Sequence, residues 1–81
     1  MNPSVPRQPR PLSGLAVGET GVVSRVHGAR AMVRRLLELG LVPGTSVTVR
    51  RTAPLGDPVE LRVRNYALSI RRADARGIDI E

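Results

Sequence analysis

The residues of this chain that could do chemistry are few and scattered. His27 is the only imidazole, cysteine is absent, and seven acidic residues lie far apart: Glu19, Glu38, Asp57, Glu60, Asp74, Asp79 and Glu81. A ferrous site of the oxygenase kind needs two histidines and a carboxylate, whereas softer metal sites need thiolates. Asp79 and Glu81 can share one face of a strand, but such a pair is typical of a solvated strand end. We therefore predict no metal site and no bound cofactor, with His27 a surface residue and not a ligand.

The sequence also lacks the arrangements that enzymes use. It has no cysteine nucleophile and no serine with a plausible base nearby, and the phosphate-binding pattern GxxxxGK[ST] is absent. The scattered glycines are typical of turns. We predict that the chain is not an enzyme, and that it works by binding.

The charge of the chain indicates an anionic partner. The formal net charge is +6, and all 13 basic residues are arginine. Such a balance favours nucleic acid, an acidic protein surface or a phospholipid surface. The arginine excess is equally typical of a GC-rich coding habit, so both explanations stay open. Because no apolar run approaches the roughly 20 residues of a membrane span and the N-terminus lacks a signal-type apolar region, we expect a cytoplasmic protein.

The organisation of the chain predicts a proline-rich tail followed by one small domain. Residues 1–11 contain four prolines, which lack the backbone donor of a strand, so we expect a flexible tail there. The folded domain is predicted over residues 12–81, and Leu12 and Leu15 should be buried in its first turn. With no Phe, no Trp and one Tyr, the core must be aliphatic.

One helix is predicted between the first two strands. The β-branched stretch GVVSRVH (21–27) predicts a strand with an irregularity near Val23, and ARAMVRRLLEL (29–39) then changes to a helical period. Met32, Leu36 and Leu39 form the expected core stripe, with Val33 and Leu37 toward its edge. Gly40 is expected to end the helix in a left-handed conformation, with Leu41 packing back and Pro43-Gly44 forming a type II turn.

The rest of the chain alternates with the period of strands. TSVTVRRTA and VELRVR predict two strands around the turn PLGDP, and the second should bury its valines and its leucine. Asn65 is expected to supply a positive φ for a tight reversal into YALSI, and Ile78 and Ile80 should lie in a closing strand. Five short strands with one inserted helix predict a mainly β fold, a small barrel that leaves no exposed edge.

The order of these elements resembles one family. LSGLAVGETGVV, then LxELGLVPGxxVxV (37–49), then PLGDPVE and the Leu-x-Ile-Arg-Arg strand together resemble the FeoA family, from about Leu12 to the end of the chain. The resemblance implies an SH3-like barrel with the helix inserted between its first and second strands. It also implies an accessory role in bacterial ferrous iron uptake, with the cytoplasmic part of the FeoB membrane GTPase as the partner. The resemblance implies transition-metal binding only as a property of the family.

Two other functions stay open from the sequence. A small basic barrel can bind nucleic acid, but single-strand binders of this kind stack bases on several aromatic residues, and only Tyr66 is available here. Similar domains also form the C-terminal module of DtxR-type metal-dependent repressors, although nothing in this chain resembles the domains that precede that module.

Four residues are the candidates for binding a protein partner. Val33 and Leu37 exceed what one core needs and predict an apolar docking patch, or else a fully buried pair. Arg62 and Arg64 lie at outward positions of a strand, where they would meet acidic groups and orient the partner.

Overall fold

Six strands and two helices make up the described part of the chain. In this computed structural model the residues that are described are 10–81. Their elements are β1 Arg10–Pro11, a 3-10 turn Leu12–Gly14, β2 Thr20–Val26, α1 Arg30–Glu38, β3 Ser46–Thr52, β4 Val59–Val63, β5 Tyr66–Ile70, α2 Arg72–Ala75 and β6 Ile78–Ile80.

The strands form one antiparallel sheet in the order β1-β6-β2-β3-β4-β5, which is the SH3-like arrangement predicted from the sequence. The helix α1 lies between β2 and β3, which are the first and second of the five predicted strands, because β1 is a sixth, two-residue strand that the sequence did not predict. The irregularity expected near Val23 is a register shift between Val23 and Arg25 in the pairing of β2 with β6. This shift bends β2, so that one strand pairs with β3 at its start and β6 at its end.

No pairing joins β1 to β5 within residues 10–81, so the sheet keeps two edge strands that the sequence did not predict. Its N-terminal edge begins inside the segment predicted as a tail. Arg10 pairs with Ile80 and Pro11 with Asp79, so β1 starts two residues before the predicted domain start at Leu12. Proline has no amide hydrogen to donate. It is tolerated here because one side of an edge strand makes no hydrogen bonds to another strand. Residues 1–9 of the predicted tail lie outside the described residues.

The core is aliphatic, as the composition requires. Val59, Leu61 and Val63 of β4 all face inward, as their alternation predicts, and Leu12 and Leu15 are buried under the sheet. In β2 it is Val23 that is buried, while Val22 and Val26 are half-buried. The remaining buried apolar residues are Leu36, Leu41, Val47, Val49, Ile70, Ala75, Ile78 and Ile80.

The end of α1 has the predicted cap. The amide of Leu41 donates to the carbonyl of Leu36 at 3.1 Å, and the amide of Gly40 donates to the carbonyl of Leu37 at 3.0 Å. This pair of hydrogen bonds is a Schellman motif, and Gly40 carries the positive φ of 99° that the motif requires. Leu41 is then fully buried. The backbone amide of Thr45 donates to the carbonyl of Val42 at 3.1 Å across the turn.

Two local predictions were wrong. Leu39 was expected in the core stripe, but α1 ends at Glu38 and the cap directs Leu41 into the core instead, which leaves Leu39 exposed. Asn65 was expected to supply the positive φ of the β4–β5 turn. Arg64, at φ 54°, is the residue in that conformation. Because Val63 pairs with Tyr66, Arg64 is the first of the two turn residues, the position where a II′-type hairpin turn needs positive φ.

Candidate protein-docking surface

The outer side of α1 carries a shallow groove that contains both predicted helix-edge residues. Its volume is about 480 Å³, and we call it the helix groove; it is lined by Gly28, Arg30, Val33, Arg34, Leu37 and Glu38. Val33 is half-buried, and Leu37 keeps 37% of its surface exposed. The pair is therefore not fully buried, which was the alternative that the sequence left open.

The groove is continuous along the chain with an apolar surface where α1 ends. Four of the six large apolar residues exposed in residues 10–81 lie here, and we call them the exit patch: Leu37, Leu39, Val42 and Tyr66. The Tyr66 hydroxyl donates to the Leu39 carbonyl at 2.5 Å, which holds the start of β5 against the end of the helix.

The exit patch includes three residues that sequence reasoning did not select. Leu39 was assigned to the core, and neither Val42 nor Tyr66, which is 40% exposed, was selected as a docking residue. A signal was present for Leu39, because a residue directly before a capping glycine stands outside the helical stripe. The contact between Tyr66 and α1 joins residues 27 positions apart, and no local pattern indicates it.

Only one of the two predicted arginines lies on a strand, since β4 ends at Val63. Arg62 faces outward from β4, opposite Ala67 of β5 and Thr48 of β3. Arg64 is exposed in the β4–β5 turn, two residues before Tyr66. The fold thus brings Arg64 beside the exit patch, whereas Arg62 lies farther along the outer face of the sheet.

Several other arginines are engaged in ion pairs within the molecule. Arg35 Nη2 donates to Asp74 Oδ2 at 2.9 Å, and Arg51 Nε donates to Glu60 Oε1 at 2.8 Å. The hydrogen bond from Arg51 lowers the pKa of Glu60 below its ordinary value. The pKa of Glu19 is lowered too, chiefly by the hydrogen bond from the Ala16 amide and then by Arg10. These arginines are less available to a partner than Arg62 and Arg64.

The imidazole of His27 contacts one carboxylate, that of Asp79. His27 Nε2 lies 3.0 Å from Asp79 Oδ1, a pair that joins β2 to β6 and that the sequence did not indicate. Within residues 10–81 no group of three or more His, Asp or Glu side chains is placed to hold a metal ion. No helix in the same range is long and apolar enough to cross a membrane.

Comparison with known proteins places this architecture in context. Residues 10–81 match the model of the FeoA domain family. An Fe(2+) transport protein A/Fe(2+) transporter FeoB fusion protein of Porphyromonas gingivalis is 44% identical over 70 residues. The match takes in 86% of this chain, which spans about 8% of that relative's length.

Solved structures agree with the family match. The FeoA protein of Chlorobium tepidum superposes with a TM-score of 0.82 at 42% identity, covering 88% of this chain and 68% of that one. The zinc complex of Stenotrophomonas maltophilia FeoA, described as a prokaryotic SH3 domain protein, gives 0.77 at 31% identity and covers 88% of each chain. A manganese-dependent transcriptional repressor gives 0.82 at 19% identity over 95% of this chain and 44% of its own, and shows the fold alone.

Proposed function

Since this chain belongs to the FeoA family, we propose that it is a non-enzymatic accessory protein of bacterial ferrous iron uptake, which binds the cytoplasmic part of a FeoB-type membrane transporter. The observation that carries the proposal is the relative in which an FeoA-like segment and FeoB form one chain. Fusion keeps two modules at a high effective concentration, which is useful when they act together. A domain that acts on such a partner needs a docking surface for it.

The exit patch and the helix groove supply the apolar part of such a surface. A small soluble domain gains stability by burying large apolar side chains, so leucine, valine and tyrosine grouped at one site favour a partner that covers them. Aromatic residues are enriched at the centres of protein interfaces. Tyr66, held by its hydrogen bond to Leu39, offers a rigid ring to a partner at little cost in conformational entropy.

Arg62 and Arg64 supply the orienting charge. Exposed cations around an apolar centre act on the rate and geometry of encounter more than on the final affinity. We expect them to face acidic groups of the transporter's cytoplasmic part. The nucleotide chemistry belongs to the partner in this proposal, because this chain has no phosphate-binding loop. Its place of action is the cytoplasmic face of the inner membrane, where it modulates the activity or assembly of the transporter.

A crosslinking pull-down from native cells tests the proposal. The tagged protein is recovered with and without nuclease treatment, and its partners are identified by mass spectrometry. We expect a polytopic membrane GTPase in both samples, because the contact we propose is between proteins.

Other outcomes would overturn the proposal. Recovery of DNA-bound or RNA-bound proteins that are lost on nuclease treatment would assign the positive charge to nucleic acid. Recovery of a promoter-bound complex would instead favour a free-standing relative of the repressor module. In either case the family membership would stand, while the function carried over from it would fail.

A further inference from the structure

The most exposed large apolar residue of residues 10–81 lies far from the exit patch. Leu55 is 97% exposed at the tip of the PLGDP loop (residues 54–58), between β3 and β4. A single exposed leucine is common on protein surfaces and requires no explanation by itself. What distinguishes this one is the way its loop is held.

The PLGDP loop is fixed in place by hydrogen bonds on both sides of its tip. The Gly56 amide donates to the Ala53 carbonyl at 2.7 Å, which closes a turn beneath Leu55. Arg72 of α2 donates its guanidinium to the Gly56 carbonyl at 3.2 Å and its amide to Asp57 Oδ1 at 3.0 Å. A side chain on an ordered loop loses little conformational entropy on binding. More of the free energy gained by burying it therefore contributes to affinity.

The same molecule carries a groove that complements this tip. The helix groove has an apolar wall of Val33 and Leu37, and its volume of about 480 Å³ exceeds what one leucine side chain fills. Arg30 and Arg34 also line it and outnumber Glu38, which leaves the lining with a net positive charge. The loop carries the opposite charge, because Asp57 is exposed two residues after Leu55 and uses only Oδ1 to accept from Arg72.

The tip and the Leu37 end of the groove lie at opposite ends of the β3–β4 hairpin. Thr52 pairs with Val59 beside the PLGDP loop, while Val63 pairs with Tyr66 beside the end of α1. The five residues of β4, at about 3.4 Å each, separate the two sites, so Leu55 meets that end of the groove only on another molecule.

We propose that this protein self-associates head to tail, with Leu55 of one molecule inserted into the helix groove of the next and Asp57 facing Arg30 and Arg34. The two surfaces are different, so the contact is heterologous and leaves a free tip at one end and a free groove at the other. One anchoring leucine gives a weak contact, and a transporter docked on Leu37 competes with it. The inference goes beyond the proposed function and shares one residue, Leu37, with it.

Sedimentation velocity of the full chain, from about 10 µM to about 1 mM, tests self-association. We expect the weight-average sedimentation coefficient of the wild type to rise with concentration. Leu55→Ser and Leu37→Ser should each stay monomeric, while Val17→Ser, at another exposed apolar residue, should behave as the wild type. Asp57→Asn, which keeps the acceptor for Arg72 and loses the charge, should weaken association at least twofold.

Mixing the two monomeric variants gives the decisive result. Leu55→Ser retains an intact groove and Leu37→Ser an intact tip, so an equimolar mixture should form a dimer and no larger species. A wild type that stays monomeric over the whole range, or a mixture without dimer, would overturn the proposal. Leu55→Ser should still recover the transporter in the pull-down, so failure of self-association and failure of the proposed function can be told apart.

Discussion

The ion pair between Arg35 and Asp74 joins the two helices through their side chains. Asp74 is buried in α2, and its Oδ2 accepts from Arg35 Nη2 of α1 at 2.9 Å. Asp74→Ala removes one hydrogen bond from a guanidinium whose side chain stays 58% exposed and can be rehydrated, so we expect a loss of about 0.5–1.5 kcal/mol in the free energy of unfolding, measured with urea. Glu38→Ala, at an exposed position of α1, should change that free energy by less than about 0.5 kcal/mol. Equal effects of the two changes would contradict this role for Asp74.

The pair between Arg51 and Glu60 predicts how stability depends on acid. The folded pKa of Glu60 lies below its ordinary 4.5, because Arg51 donates to its carboxylate. A carboxylate whose pKa is lowered by folding binds fewer protons in the folded state than in the unfolded state. Its contribution to the free energy of unfolding is therefore complete above pH 4.5 and is lost as the pH falls through the folded pKa. In Glu60→Gln the free energy of unfolding should decrease less steeply below pH 4.5 than in the wild type. Arg51→Gln should do the same, and an unchanged slope in both variants would refute the pairing.

At the scale of elements, the exit of α1 depends on two glycines with positive φ. Gly40 has a φ of 99°, and a side chain there would meet the Tyr66 hydroxyl. Gly44 has a φ of 91° with open space around it. Both positions therefore share the backbone cost of about 1–2 kcal/mol, and only Gly40 adds a steric one.

This comparison gives a matched pair of variants. Gly44→Ala should lower the free energy of unfolding by about 1–2 kcal/mol, and Gly40→Ala should lower it further. Adding Tyr66→Phe to Gly40→Ala removes the hydroxyl that the new methyl group meets, so the double variant should recover part of the extra loss. Denaturant unfolding of the wild type, Gly40→Ala, Tyr66→Phe and the double variant forms a double-mutant cycle. Identical losses at Gly40 and Gly44 would show that Tyr66 does not restrict this turn.

The elements that could be predicted from the sequence are those set by local patterns. The alternation of Val59, Leu61 and Val63 fixed the inward face of β4, and the Gly40-Leu41 and Pro43-Gly44 pairs predicted the cap and turn after α1. Leu39 was misassigned because the helical stripe was extended past Glu38, where α1 ends, whereas Leu41 beyond the cap is the residue buried in the core.

The candidate site was predictable only in part, since it is made by contacts between distant segments. Val33 and Leu37 follow from the helical period, and both lie in the helix groove. Tyr66 joins the same surface only because the β4–β5 hairpin returns to the end of α1, a tertiary contact without a local signal. The role of all these residues in binding a partner remains a prediction.

At the scale of the whole molecule, the fold keeps the buried core apart from the surface that we propose for docking. The aliphatic core lies inside the sheet, while the large exposed apolar side chains gather mainly at the exit of α1. Changes on that surface should therefore alter binding and leave folding intact. Leu37, at 37% exposure, can accept a charged side chain that reaches solvent, whereas its neighbour Leu36 is fully buried.

The most direct test is the affinity of the purified protein for the cytoplasmic part of the FeoB-type transporter, measured by titration calorimetry. The proteins compared are the wild type, Leu37→Arg and Val17→Arg, each checked for native circular dichroism. Because Leu37→Arg loses the burial of one leucine in the interface, we expect its affinity to be at least about tenfold weaker than that of the wild type. The affinity of Val17→Arg should stay within about twofold of the wild type. A folded Leu37→Arg that binds as tightly as the wild type would contradict docking through the edge of α1.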